Sequence, residues 1–479
     1  MANYVQTGIL TNTLFSGVAV TLDTGDSLYV ATTGQIYATG IAGVAIQGDT
    51  QVTVTIAGQV FGDYGIYTGQ ITGGGGSTVT VVAGGVVSGV SFAVDMLGSD
   101  STVTIAGQVS GNTAIEMGQL SGYGGNIVSV LDGGIVSGAT YGVHMFGSSN
   151  TVLNDGTISG AWGILIDGDY SSIVNTGTIQ SDFAAVYLTT TGGTTSLVNQ
   201  GVISSSYYAV FCVGGAADKV VNQGTITGGI YLGDGNDRLV NNGAIVNNGA
   251  GLNVVELGEG NDIYDGRLGT IEGDVHGQGG NDRLLGGAGA DTLDGGTGND
   301  VMKGYGGDDS YWVDSLADFV SEAGGAGEDT IYTTVSLDLT ATNLRGDIEN
   351  VTLVAGNLNA LGNGLDNELT GTGVANLLDG RGGADRLIGL AGNDIYVVDN
   401  LGDVVDEAAG AGTDTIRSSI AFSLAVSAQV LGLVERIELT GSAAVSATGN
   451  ASSNWITGNV AANLLTGAGA RTPSASSPR

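Results

Sequence analysis

The sequence predicts an all-β solenoid: a right-handed parallel β-helix that passes into parallel β-roll modules. Three observations carry this. Gly accounts for 88 of 479 residues, against a usual share of roughly 7%, while Pro is limited to 2. A turn glycine recurs along the first half, at 58, 85, 107, 134, 156, 177, 201, 224 and 243. From residue 277 the period shortens to nine. Glycine-rich, Pro-poor chains with many Val, Ile and Thr favour short strands joined by tight turns. A collagen period is excluded by the spacing and the scarcity of Pro.

The turn glycines lie 19–27 residues apart, the length of one coil made of three short strands and three turns. Residues 53–60, TVTIAGQV, recur unchanged at 102–109. Later units read strand, Asn-x-Gly turn, strand, then a third apolar run such as Trp162 to Ile166. Alternation within each strand sends one set of Val, Ile and Leu inward. Asn154, Asn175, Asn199, Asn222 and Asn241 precede the glycine by two residues and line up along one edge, where a stacked amide ladder would satisfy turn backbone groups. These coils resemble the passenger β-helices of bacterial autotransporters and large adhesins.

From 277 the units are GQGGNDRLL, GGAGADTLD, GGTGNDVMK and GYGGDDSYW, with Asp282, Asp291, Asp300 and Asp309 at position six. Leu284, Leu293, Met302 and Tyr311 stand at position eight. This is similar to the repeats-in-toxin (RTX) signature, Gly-Gly-x-Gly-x-Asp-x-apolar-x. Calcium prefers six to eight oxygens at about 2.3–2.6 Å. A Gly-rich turn exposes carbonyls to supply them, and the Asp adds a carboxylate. The resemblance implies Ca2+ between turns 18 residues apart: one ion between Asp282 and Asp300, another between Asp291 and Asp309. Gly277, Gly279, Gly286, Gly289, Gly295, Gly298, Gly304 and Gly306 belong to these turns. A second array, 362–397, supplies Gly380, Gly382, Asp385 and Asp394, but has Asn367 and Asn376 at position six of its first two units. A neutral amide is a weaker ligand, so these two turns are expected to bind weakly or not at all. A third array, from Gly449, carries Asn454 and Asn463 and no Asp. Asp237 and Asp262 sit in turns that anticipate the motif, GDGND and GEGND.

The arrays belong to a longer repeat, since residues 307–332 match 392–417 at an offset of 85. Such linked modules resemble those of large bacterial calcium-binding surface and secreted proteins. Asp314, Asp318 and Glu322, like Asp399, Asp403 and Glu407, are candidates for further ion sites, with solvated acidic turns as the favoured reading. The expected organisation is β-helix over 1–265, RTX modules over 266–330 and 331–415, a degenerate module over 416–470, and an anomalous tail over 471–479. That tail, RTPSASSPR, breaks a repeat unit and suggests a truncated or frameshifted gene.

With 47 acidic and 12 basic side chains the net charge is −35, which repels nucleic acid and anionic membrane surfaces and attracts cations. Residues 1–218 contain no Lys or Arg. No secretory leader or membrane span is legible. Cys212 stands alone in an apolar run and reads as packing. The resemblance implies a secreted or extracellular, possibly surface-associated, calcium-binding protein. It further implies a type I secretion apparatus in full-length relatives, and a surface glycan or protein receptor as partner. No catalytic motif is present, and His144 and His276 read as surface residues. The competing expectation is a carbohydrate-active β-helix enzyme (lyase, epimerase or hydrolase), with Asp167, Asp169 and Asp182 as its candidate acids.

Overall fold

The computed structural model describes residues 2–12, 18–38, 43–69, 76–118, 124–251, 254–425 and 428–467. The tail expected to mark a truncation, 471–479, lies outside them. Among the described residues every named element is a β-strand. Two compact units are present, Met1–Gln278 and Gly279–Arg479. Each is a β-solenoid of parallel strands.

In the first unit, between Thr53 and Tyr231, each coil contributes a four-residue strand and a longer one. The short strands Thr78–Val81, Thr102–Ile105, Ile127–Val130, Thr151–Asn154, Ser172–Asn175, Ser196–Asn199, Lys219–Asn222 and Arg238–Asn241 pair in chain order, parallel and without slippage. Their second and fourth residues point inward. Val103, Ile105, Val128 and Val130 are fully buried, and each such side chain contributes about 1.5–3 kcal/mol through burial. The turn glycines pack coil on coil. A Cβ on Gly177 would collide with the carbonyl oxygen of Gly156, and one on Gly201 with that of Gly177, so this column admits only Gly.

The third strand is separate in the coil of Gln35–Ala38 and Val44–Gly48 and in that of Ala244–Val246 and Val255–Glu259, but merges with the second in the coils between. Thr157–Asp167, Thr178–Thr189 and Val202–Val213 run through both the second and the third apolar segments. A register irregularity between Gly160 and Trp162 bends the first of these without breaking its ladder. An extra residue at such a bulge turns the chain while pairing continues on both sides.

The Asn column forms the expected ladder, and it lies in the core. Asn154 Nδ2 donates to Asn175 Oδ1 at 2.7 Å, Asn175 to Asn199 at 2.8 Å, Asn199 to Asn222 at 2.8 Å and Asn222 to Asn241 at 2.9 Å. Each amide also donates to a carbonyl beyond its turn, such as Asn199 to Thr225 O at 3.1 Å. All five are fully buried. Earlier coils place Ile105 and Val130 at the same register position, so amides replace methyl groups there as the chain proceeds.

In the second unit the nonapeptides alternate between facing sheets. Arg283–Leu285 pairs with Val301–Lys303, and Thr292–Asp294 with Ser310–Val313, both at an offset of 18 residues. Position eight supplies the core: Leu284, Leu293, Met302 and Tyr311 are fully buried, as are Leu369, Leu378, Leu387 and Tyr396 in the second array.

Candidate metal centre

The position-six side chains of stacked turns are tied together. Asp282 N donates to Asp300 Oδ1 at 2.8 Å, and Asp291 N to Asp309 Oδ1 at 2.8 Å. The same link joins Asp300 to Asp318 at 3.0 Å, Asp309 to Asp329 at 2.9 Å, Asp385 to Asp403 at 3.1 Å and Asp394 to Asp414 at 2.9 Å. In the first unit the equivalent link runs through Ser101–Asn126, Thr195–Asp218, Asp218–Asp237 and Asp237–Asp262. A backbone-capping column of uncharged side chains therefore becomes a column of carboxylates.

One carboxylate oxygen is used by that link, and the other is not. Oδ2 of Asp237, Asp300, Asp309, Asp385 and Asp394 is buried and has no hydrogen-bond partner. In Asp300, Asp309, Asp385 and Asp394 it faces the position-one glycine of its own turn, whereas Asp237 has Leu232 at that position. A Cβ on Gly295, Gly304 or Gly380 would collide with Oδ2 of Asp300, Asp309 or Asp385. A buried ionised oxygen without a partner is costly. Burial accordingly pushes Asp300 and Asp309 up to about 7 and Asp237 up to about 8, with neighbouring carboxylates adding to the rise and the donated N–H opposing it. Hard oxygen donors, small cradles and carboxylates short of positive charge fit a calcium ion.

Of the residues expected at the site, Asp237, Asp262, Asp282, Asp291, Asp300, Asp309, Asp385 and Asp394 are all buried. Gly277, Gly279, Gly286, Gly295, Gly304 and Gly380 are buried beside them, Gly298 and Gly306 are half-buried, and Gly289 and Gly382 are exposed.

The acids of the longer repeat differ from expectation. Asp314 and Asp399 are exposed, but Asp318, Glu322, Asp403 and Glu407 are buried. Carboxylate oxygens of Asp309, Glu322 and Asp329 lie within 4.8 Å of one another, as do those of Asp394, Glu407 and Asp414. Both oxygens of Glu322 are buried, and burial, reinforced by Asp329 and Asp309, pushes it up to about 8 against the opposing backbone N–H of Gly304. Asp329 and Asp414 were not anticipated. The signal was present: residues 324–329 read Gly-Gly-Ala-Gly-Glu-Asp, the nonapeptide turn displaced to an offset of 20.

The Asn turns are closed differently. Asn376 Nδ2 donates to Leu358 O at 2.9 Å, and its Oδ1 accepts from Thr372 N at 2.7 Å. Asn367 Nδ2 donates to Glu349 O at 3.0 Å, and Asn463 Nδ2 to Val445 O at 3.0 Å. In these turns Asn Oδ1 takes the place of Asp Oδ2 opposite the position-one glycine, as Asn376 does at Gly371, while Nδ2 replaces the link to the preceding coil with a donated hydrogen bond.

The first-half acids do not gather into one pair. Asp169 accepts from the backbone of Thr191 at 2.7 Å, Asp182 borders an open groove, and Asp167 binds His144. His144 is buried rather than on the surface. Its ring lies 3.1 Å from Asp167 and 3.4 Å from Glu116. Burial opposes its charge, but these two carboxylates outweigh burial and hold its pKa above the ordinary value. Asp95, in register with Glu116, is 1% exposed, and burial pushes it up to about 8. Cys212 is buried, and burial raises its thiol well above the ordinary range, as packing predicts.

The model of the RTX calcium-binding nonapeptide repeat matches four copies in the chain, over residues 249–270, 276–318 and 361–396. A search of curated proteins finds no match. The chain thus carries RTX calcium-binding repeats on a parallel β-solenoid, which supports an RTX, hemolysin-type calcium-binding protein. The first matched segment includes Asp262, so the motif begins before the regular nine-residue period.

Proposed function

We propose that this is an extracellular structural protein whose Asp turns fold on binding calcium, and whose β-helix serves adhesion or matrix assembly. The unsatisfied Oδ2 atoms of Asp300 and Asp309, facing glycine cradles, carry this reading. Asp282, Asp291, Asp300 and Asp309 hold ions between coils, and Asp385 and Asp394 do so in the second array. Asp237 and Asp262 hold ions in the same way within the first unit, and Glu322 and Glu407 complete the module ends of the second.

The mechanism is electrostatic. When calcium is scarce, stacked carboxylates repel one another and resist burial, which favours an unfolded chain suited to export by a type I apparatus. Calcium outside the cell supplies the missing positive charge, and its binding free energy becomes folding free energy. Limited proteolysis of the full chain tests this. Protection of 279–467 that requires calcium supports the reading, and equal protection in chelator contradicts it.

A further inference from the structure

We propose that the bend in the long strands of the first unit is a binding groove for a neutral oligosaccharide. This deepens the adhesive reading and rests on it for its biological setting. Apart from Gly249 and Ala250 at one end, the groove is built outside the matched RTX repeats.

A cavity of about 800 Å³ lies along this bend, a size suited to a ligand of several rings. Its lining repeats from coil to coil. Ser159, Gln180 and Ser204 stand in register, as do Gly160, Ser181 and Ser205. Neighbouring strands lie about 4.8 Å apart, so the four coils from Gly138 to Ser205 extend roughly 15 Å along the axis. One end is bordered by Asn248, whose Nδ2 donates to Ser205 O at 3.0 Å and Tyr207 O at 3.3 Å.

Two features select the ligand. The lining offers hydroxyls, amides and a single carboxylate, Asp182. No Lys or Arg occurs in residues 1–218, so an anionic chain finds no countercharge here. The residues that follow the lining positions Ala161, Asp182 and Ser206 are Trp162, Phe183 and Tyr207. Their rings form a row, with Trp162 to Phe183 centroids 4.7 Å apart and Phe183 to Tyr207 stacked at 5.5 Å. Phe183 and Tyr207 remain 42% and 37% exposed. The stacked rings cover one another's faces, so it is their exposed edges, beside uncharged hydrogen-bonding groups, that would meet the C–H groups of a neutral sugar whose hydroxyls the lining binds.

The test uses the full chain in calcium, with Trp312 and Trp455 replaced by Phe so that Trp162 alone reports. Cellotetraose, maltotetraose, mannotetraose and laminaritetraose are titrated, with tetragalacturonate as the anionic control. Circular dichroism of the same samples scores calcium folding separately. We expect at least one neutral tetrasaccharide to shift Trp162 emission saturably, and tetragalacturonate to leave it unchanged. Gln180→Ala with Ser206→Ala, both exposed positions, should weaken binding roughly tenfold or more without altering the dichroism. A flat response to all four neutral sugars, equal binding of tetragalacturonate, or full affinity in the double variant would each overturn the proposal. A folded second unit with a silent groove would remove this inference and leave the calcium reading standing.

Discussion

Asp282 and Asp300 are joined across one coil: the N–H of the first donates to Oδ1 of the second at 2.8 Å, while Oδ2 of Asp300 stays buried and unsatisfied. The same side chain thus fixes the stacking of the coils and creates the demand for a cation. Removing it should affect both.

Asp300→Ala with Asp309→Ala loses two inter-coil links along with two carboxylates. We expect the calcium midpoint for folding to rise several-fold, and stability at saturating calcium to fall by about 2–5 kcal/mol. Chemical denaturation in calcium measures this.

Asn376→Asp makes the opposite exchange. The substitution removes the donor that Asn376 gives to Leu358 O and adds a buried carboxylate. In chelator the variant should lose about 1–3 kcal/mol. In calcium it should bind one more ion per chain than the parent, counted by equilibrium dialysis.

The metal-free turns should respond to pH in a defined direction. Burial, reinforced by neighbouring carboxylates, raises Asp300 and Asp309 to about 7 and Glu322 to about 8. A raised folded-state pKa favours the protonated folded form, so its stabilising contribution is present below the unfolded value. That contribution is lost as pH rises through the folded value. In chelator, melting temperature should therefore fall between pH 4 and pH 8. In calcium the trend should reverse, because ions compete with protons for the same oxygens. Thermal scans across that range in both conditions measure the two slopes.

Asn199→Ala interrupts the amide ladder at its centre. Asn175 loses its acceptor, and Asn222 Oδ1 and Thr225 O lose their donor. The expected cost is about 2–3 kcal/mol, independent of calcium. Hydrogen exchange of 172–226 in chelator measures it.

Much of this was legible in the sequence. The nine-residue period placed Asp282, Asp291, Asp300 and Asp309 in stacked turns, and Asn-x-Gly placed the amide ladder. Glu322 was not legible as a buried group, because it approaches Asp309 from a strand rather than from a turn. Asp329 was missed because the offset lengthens there from 18 to 20. The polar forerunner of the Asp column was also hidden. Ser77, Asn126, Asn150, Ser171 and Thr195 perform one backbone-capping task with three residue types, so no repeated letter marks it. His144 looked like a surface residue because its partners, Glu116 and Asp167, lie one coil away on either side.

The most direct test of calcium-coupled folding is a calcium titration of the full chain in chelated buffer, followed by circular dichroism, with magnesium as control. The account predicts a cooperative gain of β signal with calcium that magnesium does not produce, and that Asp300→Ala with Asp309→Ala displaces to higher calcium. A chain with its full β signal already present in chelator and unmoved by calcium would contradict it.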